Sequence, residues 1–166
     1  MLRSLALFLV LWLSACGLLP DRTEDQQDWS ANKFYSEAKV KLNDGNYAAA
    51  IKLYESLEAR YPYGRIAQQA QLEIAYAHYK NEEPASAIAA TDRFIKLHPN
   101  HVNVDYAYYI KGLSSFNDNW GMMGFLMKGP IKQDMSERDS KASRESFENF
   151  KELVARFPES KYAADA

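Results

Sequence analysis

The stretch NYAAAIKLYESLEARYP, residues 46–62, decides the fold, because its features return twice further along the chain. Its proline closes an apolar-periodic run, where the missing N–H and the rigid ring stop a helix. The ending Arg60-Tyr61-Pro62 recurs as Leu97-His98-Pro99 and as Arg156-Phe157-Pro158. With the three prolines aligned, the twelfth residue back is Ala50, Ala87 or Ser146, and the eleventh is Ile51, Ile88 or Phe147. The fifth back is Leu57, Phe94 or Leu153, and the eighth forward is Ala70, Ala107 or Ala166. Small residues in register are what two closely crossing helices need, since a larger side chain would hold the backbones apart.

Each unit reads as a helix pair. The spacing predicts helices over 30–43 and 47–61, broken at Asp44-Gly45-Asn46, where glycine supplies a left-handed residue. It predicts further helices over 66–80 and 84–98, with Pro84 near a first helical position. The third unit has helices over 104–116 and 141–157, the latter capped around Asp139-Ser140. Its proline lies 59 residues after Pro99, against 37 between Pro62 and Pro99, so the unit carries an insertion. No segment alternates with period two between hairpin turns, and the fold class is all-α.

A pair of about 34 residues, with a small residue in each helix and a closing proline, resembles a tetratricopeptide repeat. Ala38, Ala75 and Gly112 fill the small position of the first helices, and Ala50, Ala87 and Ser146 that of the second. Thr91 departs from the pattern where Tyr54 and Phe150 supply an aromatic. The architecture implied is a superhelical solenoid of antiparallel helix pairs: repeat 1 over 30–65, repeat 2 over 66–102, and repeat 3 over 103–159 with an insertion at 117–138. Residues 160–166 read as the start of a truncated repeat 4, and a solenoid end without a capping helix reads as a fragment of a longer protein.

The N-terminus carries an address. Arg3 and the apolar run 5–13 precede Leu13-Ser14-Ala15-Cys16, an export signal too short to span a bilayer, which takes about 20 apolar residues. The pattern resembles the lipobox of bacterial lipoproteins, which implies cleavage after residue 15 and lipidation of the Cys16 thiol. Gly17 in place of aspartate implies delivery to the outer membrane. Residues 1–15 are then a signal peptide and 16–29 a lipidated start and polar tether. Cys16 is the one cysteine, so no internal disulfide is available and stability must come from packing. Twenty Lys and Arg against 22 Asp and Glu give a net charge of −2 with no basic cluster, which argues against nucleic acid as a partner.

No catalytic constellation is legible and no cofactor is expected. His98 and His101 flank Pro99 at a helix end, which suits turn and capping roles better than a metal site, and His78 has no second ligand at helical spacing. Scattered Asp and Glu read as solvated helix faces. The eleven tyrosines are more informative, since they gather in the first helices, which line the concave surface of this architecture. Tyr35, Lys39, Gln69, Tyr76, Tyr79, Tyr106 and Tyr109 fall at groove-facing offsets and make a candidate surface for an extended peptide. Some of these rings, Tyr76 and Tyr109 among them, could equally pack between helices. In the insertion, Trp120, Met122, Met123, Phe125 and Leu126 form an apolar run that either folds back as a lid or offers an adaptable partner contact.

The lipobox, tether, repeats and insertion together are similar to the BamD family, the tetratricopeptide lipoproteins of the outer-membrane β-barrel assembly machinery. The most specific matching parts are RYPYG at 60–64, Asp92-Arg93-Phe94-Ile95 through His101, Asp105-Tyr106, SERD at 136–139 and RFPESKYAADA at 156–166. The resemblance implies a non-enzymatic scaffold, lipid-anchored on the periplasmic face of the outer membrane. It would bind unfolded outer-membrane barrel proteins and other β-barrel assembly subunits, namely BamA-like polypeptide-transport domains and other lipoproteins. Two rivals remain at this stage: another envelope tetratricopeptide lipoprotein, such as a cell-wall synthesis regulator, and the repeat module of an enzyme. Because only Cys16 can carry the lipid, Cys16→Ser is expected to leave the protein as a precursor or a soluble form on membrane fractionation. A variant that still sediments with outer membranes lacking its partners would overturn the anchor assignment.

Overall fold

The computed structural model describes residues 26, 28–117 and 135–166, and its regular structure consists of six α-helices with no strand among the described residues. They are α1 (Ala31–Asn43), α2 (Tyr47–Arg60), α3 (Arg65–Lys80), α4 (Pro84–Leu97), α5 (Val104–Asn117) and α6 (Met135–Arg156). The first five agree with the sequence expectation to within a residue at each end. The sixth starts earlier: the expected cap at Asp139-Ser140 lies inside α6, and the last residues of the expected insertion are helical. Residues 135–140 contain no glycine or proline, and Asp and Ser cost only a fraction of a kcal/mol inside a helix, roughly 0.5 each. A helix already packed on α5 therefore extends over them.

Local chemistry sets the ends. The Ser30 hydroxyl accepts from the Lys33 N–H at 3.3 Å, and the Asn46 side chain from the Ala49 N–H at 3.2 Å. At the turn between α1 and α2, Gly45 takes φ +76°, and the Asn46 N–H returns to the Lys41 carbonyl at 2.9 Å. The equivalent turn between α3 and α4 makes the same bond from the Glu83 N–H to the His78 carbonyl at 3.0 Å, but the left-handed residue there is Glu82 at φ 59°. A non-glycine residue in that conformation costs about 1–2 kcal/mol. The three proline-terminated helices finish alike. The N–H groups of Tyr61, His98 and Phe157 reach the carbonyls of Leu57, Phe94 and Leu153 at 2.7, 2.8 and 2.8 Å, and the following prolines have no N–H to continue.

Packing follows the alignment of the three units. Ala50, Ala87 and Ser146 are all buried, as are Ala38, Ala75 and Gly112 on the first helices. Leu57, Phe94 and Leu153 are fully buried, each contributing about 1.5–3 kcal/mol by removal from water. The core is serial. One cluster joins α1, α2 and α3 through Phe34, Tyr54 and Ile74, a second joins Leu72, Phe94 and Ala107, and a third joins Val104, Tyr108 and Leu153. The eleventh-back position behaves differently in the third unit: Ile51 is buried, whereas Phe147 is 63% exposed, because α6 packs on α5 alone among the described helices.

The third crossing leaves no spare room. A Cβ on Gly112 would stand 2.5 Å from Cε1 of Phe150, so even alanine does not fit beneath that ring. The Ser146 hydroxyl donates to the Gly112 carbonyl at 2.9 Å, which satisfies the polar atom that replaces a methyl group there. Gly112→Ala is accordingly expected to destabilise the protein by about 1–3 kcal/mol through overpacking, read as a lower melting temperature. Phe150→Leu in the same chain is expected to recover part of the loss, and a melting curve unchanged by Gly112→Ala would refute the close approach.

Candidate functional site

Each helix packs on its neighbours in sequence, and among the described helices the first helices of successive pairs also bring their backbones close together: α1 meets α3, and α3 meets α5. No such backbone contact joins α2 to α4 or α4 to α6. First helices that meet while second helices splay produce a concave inner face built by α1, α3 and α5. All seven candidate groove residues lie on those three helices. Tyr35 and Lys39 come from α1, Gln69, Tyr76 and Tyr79 from α3, and Tyr106 and Tyr109 from α5.

The structure joins the first of these through Glu73, an acid expected on a solvated helix face. Glu73 Oε1 accepts from the Lys39 ammonium at 2.8 Å, from the Tyr35 hydroxyl at 3.2 Å and, more weakly, from the Gln69 amide at 3.5 Å. Its side chain is only 12% exposed. The reading of Asp and Glu as solvated helix faces therefore fails at Glu73. Residues 69, 73 and 76 recur at i, i+4 and i+7 along α3, so the helical spacing that selected Gln69 and Tyr76 also pointed to the acid between them. Burial and the Glu73 charge push the Tyr35 phenol up to about 12, and burial first, with Glu73 next, raises Tyr54 and Tyr106 as well.

At the other end of the face, the chain's own segment covers the α5 tyrosines. The Tyr162 ring stacks on Tyr106 at 5.2 Å and on Tyr109 at 4.9 Å, and the Tyr109 hydroxyl donates to the Asp165 carboxylate. That hydrogen bond, followed by burial, pushes Tyr109 up to about 12. Ser160 fastens the segment by donating to Asp105 at 2.6 Å. Tyr106 and Tyr109 thus contribute to packing within the solenoid as well as to its inner face. Tyr76 and Tyr79 are half-buried, and Tyr76 packs against the first core cluster.

An open cavity of about 820 Å³ lies at the end of the face nearest the inter-unit loops. Tyr35 and Gln69 line it with Tyr61, Tyr63, Ile66 and Val102, of which Tyr63 and Val102 are 91% and 84% exposed. Tyr61 caps the end of α2 and Tyr63 lies in the loop after it, so neither falls at a groove-facing offset of a first helix, and helical spacing alone does not point to them. His98 ties the end of α4 to α3, its Nε2 lying 2.9 Å from Gln71 Oε1, and His101 serves its own turn, its Nδ1 accepting the Asn103 N–H at 3.1 Å. His78 Nδ1 lies 2.6 Å from Glu83 Oε2. Among the described residues no group of three metal-ligating side chains assembles. Cys16 and the apolar run Trp120, Met122, Met123, Phe125 and Leu126 lie outside the described residues.

These features define the class: an all-α helix-pair repeat protein with an aromatic inner face. The profile of the YfiO family, described as an outer membrane lipoprotein, matches residues 27–166, and the chain belongs to that family. It is 51% identical to the outer membrane protein assembly factor BamD of Neisseria meningitidis serogroup B, over 98% of this chain and 60% of the relative. The same-named protein of Neisseria gonorrhoeae is 50% identical over 98% of this chain and 60% of its own length. That of Vibrio cholerae is 35% identical over 93% of this chain and 61% of its own length. The chain thus spans about three fifths of the length of these relatives.

The Tyr35 environment has a measurable consequence at alkaline pH. Exposed tyrosines ionise near pH 10, whereas Tyr35 is expected to ionise near 12. A phenol whose folded pKa is raised stabilises the fold below the unfolded pKa, and that contribution is lost as pH rises through the folded value. The difference in tyrosinate absorbance between the parent and Tyr35→Phe should therefore centre near pH 12, and a difference centred near 10 would contradict the Tyr35–Glu73 geometry.

Proposed function

We propose that the chain is a non-enzymatic scaffold of outer-membrane protein assembly, held by lipid on Cys16 at the periplasmic face of the outer membrane. Its inner face binds unfolded barrel-protein precursors, and its remaining surface engages partner subunits of the β-barrel assembly complex, including BamA-like polypeptide-transport domains and other lipoproteins. The single observation that carries this reading is the convergence of aromatic rings and a few hydrogen-bonding groups from α1, α3 and α5 on one concave face. Flat apolar area interspersed with donors and acceptors suits an extended polypeptide, whose backbone and alternating side chains both need partners. Membership of an outer membrane lipoprotein family and relatives named as assembly factors support the choice of barrel precursors over a cell-wall regulator or an enzyme module.

Site-specific photocrosslinking tests it. A crosslinker at Tyr35 or Tyr79 is expected to capture an unfolded barrel-protein segment, whereas one at Lys52 or Glu55, both exposed on α2, is not. Alanine at both Tyr35 and Tyr79 should weaken binding more than about tenfold, since a buried aromatic anchor is worth on the order of 1–2 kcal/mol or more. Equal crosslinking from both faces would rule out the groove.

A further inference from the structure

We infer that Glu73 selects the segment bound along the inner face by offering a carboxylate oxygen to a lysine or arginine of the extended polypeptide; this rests on the peptide-binding reading above. Among the described residues, the hydrogen bonds that Glu73 accepts end on Oε1, from Tyr35, Lys39 and Gln69. A carboxylate has about four lone-pair sites across its two oxygens, so Oε2 retains its accepting capacity. That oxygen belongs to a side chain only 12% exposed, and in such surroundings an added donor is worth more than it would be in bulk water.

The rest of the wall points the same way. The phenolic hydrogens of Tyr35 and Tyr109 are already given to Glu73 and Asp165, and both phenols remain neutral well above physiological pH. What these groups still present to a ligand is oxygen lone pairs. Lys39 is the cation paired with Glu73, and Arg65 lines the adjoining cavity; Lys39 stands 41% exposed on a flexible stem and can swing aside while Glu73 stays in place. An incoming ammonium or guanidinium would also lie near the half-buried Tyr76 ring, where a cation is attracted to an aromatic face. An acidic residue at the same register would meet Glu73 as a like charge, so the face discriminates by repulsion as well as by attraction.

The test uses two fluorescein-labelled extended peptides of alternating aromatic and threonine residues, identical except for a central Arg or Glu. Their binding to the purified protein and to its Glu73→Gln and Glu73→Asp variants is followed by anisotropy, with folding of each checked by circular dichroism. The Arg peptide should bind the parent about tenfold more tightly than the Glu peptide, the preference expected of one directed charge contact. Glu73→Gln should shrink the ratio to within about twofold, and Glu73→Asp should keep it. A parent ratio near one, or an unchanged ratio in folded Glu73→Gln, would overturn the role of Glu73 while leaving the groove intact. Failure of both peptides to bind the parent would overturn the peptide-binding reading itself, and the selectivity with it.

Discussion

Close approach of two helix backbones within each pair is the constraint on which everything else depends. Each pair meets it with a small buried residue on both helices, Ala38 and Ala50, Ala75 and Ala87, Gly112 and Ser146, the last two joined by a hydrogen bond. The third pair shows how narrow the tolerance is, because the Phe150 ring occupies the space a Gly112 side chain would need. At the position equivalent to Phe150 the other units place Tyr54 and Thr91. Thr91 returns its hydroxyl to the Ile88 carbonyl at 2.8 Å, whereas the Tyr54 hydroxyl is buried without a partner among the described residues, a cost that close packing of its ring against Tyr35 has to offset. The small positions are fixed by geometry, and the large ones vary as long as the volume is shared.

From that crossing follows the shape that makes a site. Each unit buries its apolar stripe only against its neighbours, so the core runs as a series of clusters. Because the backbones of successive first helices approach closely and those of the second helices do not, the inner face lies along α1, α3 and α5. Polar ties then hold successive units in a fixed relation. Arg93 on α4 reaches Glu58 on α2 at 3.0 Å, Gln71 on α3 donates to the same carboxylate at 2.7 Å, and His98 completes the chain through Gln71. On the opposite side Lys39, Tyr35 and Gln69 meet on Glu73. The two networks grip α3 from either side, so the residues that shape the inner face are held by the same contacts that join the units.

Much of this was legible in the primary structure. The repeated proline endings, the small residues in register and the Asp44-Gly45-Asn46 break each encode a local rule, and five of six helices fall where those rules put them. The start of α6 did not, because Asp and Ser are cap formers only when nothing else holds the helix, and packing on α5 carries the helix through Asp139-Ser140. Glu82 in a left-handed conformation was equally illegible, since its own preference opposes the turn that the flanking helices impose.

What the sequence determined by itself was the period of the repeat and the set of residues able to face inward, because helical spacing assigns a face without reference to any other part of the chain. What only the tertiary structure decided was which of those residues meet. Glu73 gathers three donors from two helices, and Tyr162 closes over Tyr106 and Tyr109. Both depend on the relative placement of successive units, which results from the summed packing of many side chains and is written at no single position of the chain.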